Sequence, residues 1–101
     1  MGTAADRAEI TIERNDEARR YELKLDGEVA GYSQFRTQPG RITFTHTVVQ
    51  PEHEGKGLGS RLAKHVLDEA VARGETIVPI CPFIGAYLKG HPEYEASVEW
   101  P

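Results

Sequence analysis

The spacing of hydrophobic residues changes at the glycine-rich stretch Gly55-Lys56-Gly57-Leu58-Gly59. Ahead of it the period is two. Tyr21, Leu23 and Leu25 alternate with Arg20, Glu22 and Lys24, the pattern of a strand with one face in water. Behind it the period is close to four. Leu58, Leu62, Val66 and Ala70, flanked by Ala63, Leu67 and Val71, make one apolar stripe on a helix running between Gly57 and Arg73. A chain that is strand-like in its first half and helical after a glycine loop must cover one sheet face with that helix, which predicts an α+β fold.

The remaining elements follow from local signals. Asp26-Gly27 is a two-residue hairpin turn, after which Glu28 to Arg36 returns as a second strand. Ile10 and Ile12 suggest a short strand before this pair. After Pro39-Gly40, the segment Arg41 to Val49 is rich in β-branched and aromatic residues. Four consecutive antiparallel strands are the simplest account. Arg73-Gly74 ends the helix, Thr76 to Cys81 reads as a short buried strand, and Phe83 to Lys89 as a short helix begun after Pro82 and stopped near Gly90 and Pro92. Strand, glycine loop, helix and strand form a βαβ unit, whose right-handed crossover leaves its two strands parallel. Pro79 has no amide to give to a ladder, so this last strand is an edge or splays from its neighbour. The expected architecture is a mainly antiparallel sheet with one parallel, splayed pair, a crossover helix and a short C-terminal helix.

At 101 residues the chain suits one domain, expected over 9–101 after a short flexible lead-in over 1–8. The formal net charge is -4, and residues 1–50 carry eight acids against seven Lys/Arg, residues 51–101 eight against five. Neither half is a basic surface, which argues against general nucleic-acid binding. The one cysteine cannot form an internal disulfide, which points to a reducing, cytoplasmic setting. The longest largely apolar stretch, Ile77 to Leu88, is interrupted by Pro79 and Pro82 and is shorter than the ~20 residues of a membrane helix. No close Cys/His spacing suggests a metal site. A monomer is the default for a small charged domain.

The glycine loop is the first candidate site. Alternate glycines let backbone approach a ligand, and a helix start offers unpaired N–H groups and a partial positive charge, which suits a phosphate. Lys56, Arg61 and Lys64 are the only charged residues from 55 to 64. A dinucleotide fingerprint would need glycine where Ser60 stands, and a P-loop would need Ser or Thr after Lys56, where Gly57 stands. Neither template applies, and a plain flexible turn stays open.

The run Pro51-Glu52-His53-Glu54-Gly55-Lys56-Gly57-Leu58-Gly59, following an antiparallel sheet and opening an amphipathic helix, resembles the acetyl-CoA pyrophosphate loop of the GNAT acetyltransferase superfamily. With His46-Thr47, Val78-Pro79-Ile80-Cys81-Pro82-Phe83 and His91-Pro92-Glu93-Tyr94, the chain resembles the minimal single-domain branch of that superfamily from about Tyr21 to Tyr94. The resemblance implies acetyl-CoA or CoA as cofactor, with its pyrophosphate at Glu54, Gly55, Lys56, Gly57, Leu58, Gly59 and Ser60. It also implies a pantetheine arm between the fourth and fifth strands, paired with backbone near Thr47, Val48 and Val49. Glu54 departs from the Gln or Arg usual there and would set a carboxylate against the pyrophosphate.

The same resemblance sets Cys81 facing the thioester and pairs it with His46. A thiol near its ordinary pKa of ~8.5 is mostly protonated at neutrality and needs a base, and an imidazole near ~6.5 can serve. Read from the residues alone, Cys81 is equally an inert buried hydrophobe, and His46, on one strand face with Ile42, Phe44 and Val48, a core histidine. Tyr87 matches the place of a tyrosine that protonates the departing thiolate, or else packs on the sheet. Lys89 approaches the cofactor phosphates or is simply solvated. Tyr94 and Trp100 cover the sheet or line the acceptor entrance. The expected function is an acetyl-CoA-dependent N-acyltransferase acting on a small-molecule or peptide amine, directly or through acetyl-Cys81. The alternatives are a CoA-binding or protein-interaction module with little turnover and a redox-sensing thiol at Cys81.

Overall fold

The computed structural model describes residues 9–101, so the lead-in expected over 1–8 lies outside the described residues. Strands β1 (Ile10–Asn15), β2 (Arg20–Leu25), β3 (Glu28–Gln38) and β4 (Arg41–Val49) precede helix α1 (Leu58–Ala72), strand β5 (Thr76–Pro79) and helix α2 (Pro82–Lys89). A single 3-10 turn lies at Pro51–His53 and a six-residue 3-10 segment at Pro92–Ser97. The five strands form one sheet in sequence order, antiparallel from β1 to β4 and parallel between β4 and β5. At the β2–β3 turn Asp26 and Gly27 have φ of 53° and 89°, the paired left-handed residues that a tight hairpin of this twist requires. No helix among the described residues is long and apolar enough to cross a membrane.

One face of the sheet is buried and the other is polar. Tyr21, Leu23, Phe35, Ile42 and Phe44 pack beneath Leu58, Leu62, Ala63, Val66, Leu67 and Ala70 of α1, with Ile84 and Leu88 of α2 completing the core. Full burial of a side chain of this size contributes about 1.5–3 kcal/mol, so the four-residue stripe of α1 is the main attachment of helix to sheet. On the open face Arg20 lies against the Tyr32 ring at 4.7 Å and pairs with Glu22 at 2.8 Å.

A β-bulge in β4 decides which side chains face the helices. Phe35 pairs with Phe44, but the next residue back on β3, Gln34, pairs with His46, so Thr45 is an extra residue without a partner. Ile42 and Phe44 face the core before the bulge. Beyond it the phase is inverted, and Thr47 and Val49 face inward opposite Ser33 and Gly31. His46 therefore stands on the open face. It is exposed, and its ring centroid is 6.4 Å from that of Tyr32. The placement of His46 on the core face with Ile42 and Phe44 is corrected by this one inserted residue.

The parallel pairing of β4 with β5 ends at Phe44 and Pro79. Beyond it the Ile80 amide donates to the Val78 carbonyl at 3.2 Å in a tight turn, and the Cys81 amide donates to the Phe44 carbonyl at 2.8 Å. The chain then leaves the sheet at Pro82 to begin α2, with Ile80 and Cys81 between it and the end of β5. Thr45–Val49 of β4 thus has no β5 partner, and the two strands open into a gap on this side. The outer edge of β5 is covered by the C-terminal segment, where the Glu99 amide donates to the Ile77 carbonyl at 2.8 Å.

Candidate cofactor cleft

The N-terminus of α1 opens on this gap. Gly57, the residue before the helix, has φ 74° and ψ 14°, and Gly55 has φ 85°. These are left-handed values that favour glycine. Gly57 carries no side chain to cap the helix, and no acidic residue lies in the first turn. The first bond that closes a helical turn is from the Arg61 amide to the Gly57 carbonyl at 3.2 Å, so the amides of Leu58, Gly59 and Ser60 have no carbonyl within the helix to meet. Most helix starts satisfy such amides with a Ser, Thr, Asp or Asn side chain. Here no side chain caps them.

A cleft of about 370 Å³ lies at this point, lined by Thr47, Val49, His53, Glu54, Gly55, Gly57, Leu58, Gly59, Ser60 and Phe83. The lining is mixed in chemistry: Gly55, Gly57, Gly59 and Ser60 lie at the start of α1 with His53 and the carboxylate-bearing Glu54 before them, whereas Val49, Leu58 and Phe83 are apolar. Lys56 stands beside the loop, its Nζ donating to Nδ1 of His53 at 3.1 Å. A Cβ placed on Gly59 would fall 2.8 Å from Cζ of Phe83, so the absence of a side chain there lets the ring close that end of the cleft.

Thr47 is the link between the cleft and the core. Its Oγ1 lies 3.0 Å from Oγ of Ser33 and accepts from Sγ of Cys81 at 3.3 Å. Ser33 is 0% exposed and Cys81 2%. The thiol is behind Thr47 rather than on the cleft wall, with its carbonyl accepting from the Gly85 amide of α2 at 3.0 Å. His46 and Cys81 are not brought together, because the bulge puts the imidazole on the opposite side of the sheet from Thr47.

Other expected residues lie elsewhere. Tyr87, one turn along α2 from Phe83, is outside the cleft lining. Its ring stacks on His91 at 3.8 Å, and its carbonyl accepts from Nδ1 of His91 at 2.7 Å. Lys89, at the far end of α2, has its ammonium 5.9 Å from the Trp100 ring and is not among the residues that line the cleft. Val48 alternates with Thr47 and Val49, so its side chain is absent from the lining. Trp100 donates to Glu95 at 3.2 Å.

Tyr94 is buried and donates to Oδ1 of Asp68 at 2.5 Å, while Lys64 donates to the other oxygen at 3.0 Å. The Tyr94 bond holds the Asp68 carboxyl below its usual range, with Lys64 adding to the effect, and burial with the same bond pushes the Tyr94 phenol up. These contacts bind α1 to the C-terminal turn and stand apart from the cleft. Three lining or supporting residues had no assigned role at the level of sequence. His53 reads as an ordinary loop histidine, Phe83 as a helix-start aromatic, and Ser33 depends on a register that two bulges set.

A family model described as GCN5-related N-acetyl-transferase matches residues 20–98. The chain is 38% identical over 58 residues to the L-amino acid N-acyltransferase MnaT of Escherichia coli (strain K12), covering 52% of this chain and 34% of that protein. It is 41% identical over 58 residues to the L-methionine sulfoximine/L-methionine sulfone acetyltransferase of Salmonella typhimurium, with the same shares of 52% and 34%. The chain thus spans about a third of the length of these curated relatives. Among solved structures, a GCN5-like protein from Staphylococcus aureus superposes with a TM-score of 0.69 at 20% identity, over 90% of this chain and 89% of that one. The ribosomal-protein-S18-alanine N-acetyltransferase from Escherichia coli gives a TM-score of 0.55 at 26% identity, over 58% of this chain and 40% of that one. The family match extends over most of the chain's length: this chain belongs to the GCN5-related N-acetyl-transferase family.

Proposed function

We propose that the chain is an acetyl-CoA-dependent N-acetyltransferase that acts directly on an amine, with no acetylated enzyme between. The observation that carries this is the uncapped start of α1, whose free amides open into a cleft beside the gap between β4 and β5. Bound there, acetyl-CoA supplies the acyl group as a thioester. The amides of Gly55 to Ser60 hold the diphosphate through oriented N–H groups and the positive end of the helix, an arrangement suited to anions. The unpaired stretch Thr47–Val49 of β4 offers backbone to the pantetheine arm as a neighbouring strand would. Two of the relatives are named for acyl transfer to an L-amino acid or to L-methionine sulfoximine and sulfone, and one solved structure for transfer to a ribosomal-protein alanine, which supports an amine as acceptor here.

The side-chain geometry supports direct transfer. Cys81 is buried, donates its proton to Thr47 and has no imidazole beside it, so the thiolate that a covalent route requires has no base to form it. His46 is on the open face next to the unpaired end of β4, in reach of an amine arriving from solvent on that side. Its role in the proposal is to take the proton from that amine. Holding both reactants in one gap supplies much of the remaining acceleration.

The test is incubation with isotopically labelled acetyl-CoA and a panel of amines, followed by intact-protein mass measurement. The expected result is labelled amine with no label retained on the protein, and turnover that survives Cys81→Ala. A stable adduct on Cys81 that chases into product would replace the direct route by the covalent one. CoA binding by calorimetry with no transfer to any amine would replace the enzyme by a CoA-binding module.

A further inference from the structure

We propose that the Thr47 hydroxyl donates a hydrogen bond into the cleft, to the carbonyl oxygen of the bound thioester, and that Ser33 and Cys81 fix it in that role from behind. The identity of the acceptor rests on the function proposed above. The direction of the bond rests on hydrogen-bond arithmetic in the free protein.

A threonine hydroxyl has one proton to give and two lone pairs to accept with. Two buried donors converge on this one, the Cys81 thiol at 3.3 Å and the Ser33 hydroxyl at 3.0 Å. Ser33 is fully buried, and Thr47 is its one side-chain partner among the described residues. Were Thr47 to donate to Ser33, the serine proton would be left unpaired in the core, a loss of about 1–3 kcal/mol. Ser33 therefore donates to Thr47, as Cys81 does. Both lone pairs of Thr47 are then occupied, and its proton is directed away from both donors, toward the cleft that Thr47 lines.

Thr47 shares the cleft lining with the apolar Val49, Leu58 and Phe83 as well as with His53, Glu54 and Ser60, and no protein acceptor for its proton is found in the free protein among the described residues, which leaves the proton for a ligand oxygen. A donor held in advance, in a place from which the ligand excludes water, acts most strongly on an oxygen that gains negative charge, as a thioester carbonyl does during acyl transfer. Thr47 would touch the reacting group, and Ser33 and Cys81 are positioning residues that act through it. This gives the buried thiol a purpose that needs neither a thiolate nor a neighbouring base.

Two infrared bands test this, with Thr47→Val to remove the hydroxyl and Thr47→Ser to restore it. On the free protein, the single cysteine gives a single S–H stretching band. Its frequency is expected to rise in Thr47→Val and to return in Thr47→Ser; an unmoved band overturns the Cys81–Thr47 bond. With carbonyl-labelled acetyl-CoA bound, the thioester band is expected at higher frequency in Thr47→Val than in wild type, again restored by serine, and broadened in Ser33→Ala, where the hydroxyl is no longer pinned. Calorimetry adds a control: Thr47→Val weakens acetyl-CoA about fivefold, the equivalent of about 1 kcal/mol, and leaves S-ethyl-CoA, which lacks the carbonyl, unchanged. Equal carbonyl bands in variant and wild type, with both binding, overturn the inference while the proposed function stands. Failure of wild type to bind acetyl-CoA overturns the reading of the cleft and the role of Thr47 with it, whatever the S–H band shows.

Discussion

Gly57→Ala separates backbone conformation from every other property of the loop. A Cβ added at Gly57 would meet nothing within 4 Å, so the substitution introduces no clash, and its cost in the folded state comes from φ 74°. The left-handed region costs a residue with a side chain about 1–2 kcal/mol. Alanine also narrows the unfolded ensemble, which offsets part of this, leaving a net loss of about 1 kcal/mol. For a domain of this size that is a fall in melting temperature of about 4–8 °C. If the chain relieves the strain by turning residue 57 out of the left-handed region, the amides that follow it change direction. The loss of one charge-assisted bond to a diphosphate is then at least tenfold in CoA affinity. Gly57→Asn is the control, because asparagine tolerates the left-handed conformation, and it should keep most of both quantities. Thermal denaturation and calorimetry on the three proteins decide the matter. An alanine variant that melts and binds like wild type would refute the claim that this left-handed residue aims the amides of α1.

Three further outcomes follow from the same structure. The Tyr21 phenol, buried and bonded to Glu69 at 2.6 Å, is pushed up to about 12 by burial and that bond, from 10.0, so its contribution to stability is complete below pH 10 and is lost as pH rises from there to about 12. Denaturant midpoints across that range should fall in wild type and stay nearly level in Tyr21→Phe. Asp68 titrates low in the folded state because Tyr94 and Lys64 bond to it, so its contribution is present above the ordinary carboxylate range and is lost as pH falls through the lower folded value. Tyr94→Phe should cost about 1 kcal/mol at neutral pH and flatten the acid limb of stability. Glu54→Gln should raise CoA affinity several-fold in low salt, with the gain shrinking once the screening length approaches ~8–10 Å, as calorimetry at two ionic strengths would show.

What was legible in the sequence was whatever depends on near neighbours. The alternation through Tyr21, Leu23 and Leu25, the Asp26-Gly27 turn and the four-residue stripe of α1 each state their own geometry. The parallel β4–β5 pair followed from the handedness of the crossover and the splay from Pro79. The bulge at Thr45 was not legible, since a threonine in a run of Thr, Phe and Val looks like any strand residue, and the alternation simply continues through it to His46 and Val48. One unpaired residue reversed the faces beyond it, moved His46 into solvent and brought Thr47 to Cys81. Ser33 was hidden for a related reason, because its partner across the strands is set by bulges rather than by its own neighbours in sequence. Lys89 and Tyr87 were placed by position along α2, but their partners in the fold, Trp100 and His91, are set by how the C-terminal segment packs, which is a tertiary property.

The proposed function depends above all on the amides from Gly55 to Ser60 holding the diphosphate of CoA. The most direct measurement is a titration of ¹⁵N-labelled protein with CoA, followed by backbone amide resonances, with pantetheine alone as the ligand lacking a diphosphate. The account predicts that the amides of residues 55–60 move furthest with CoA and far less with pantetheine, while Thr47–Val49 respond to both. Loop amides that stay in place while CoA binds elsewhere, or that move equally with pantetheine, would contradict it.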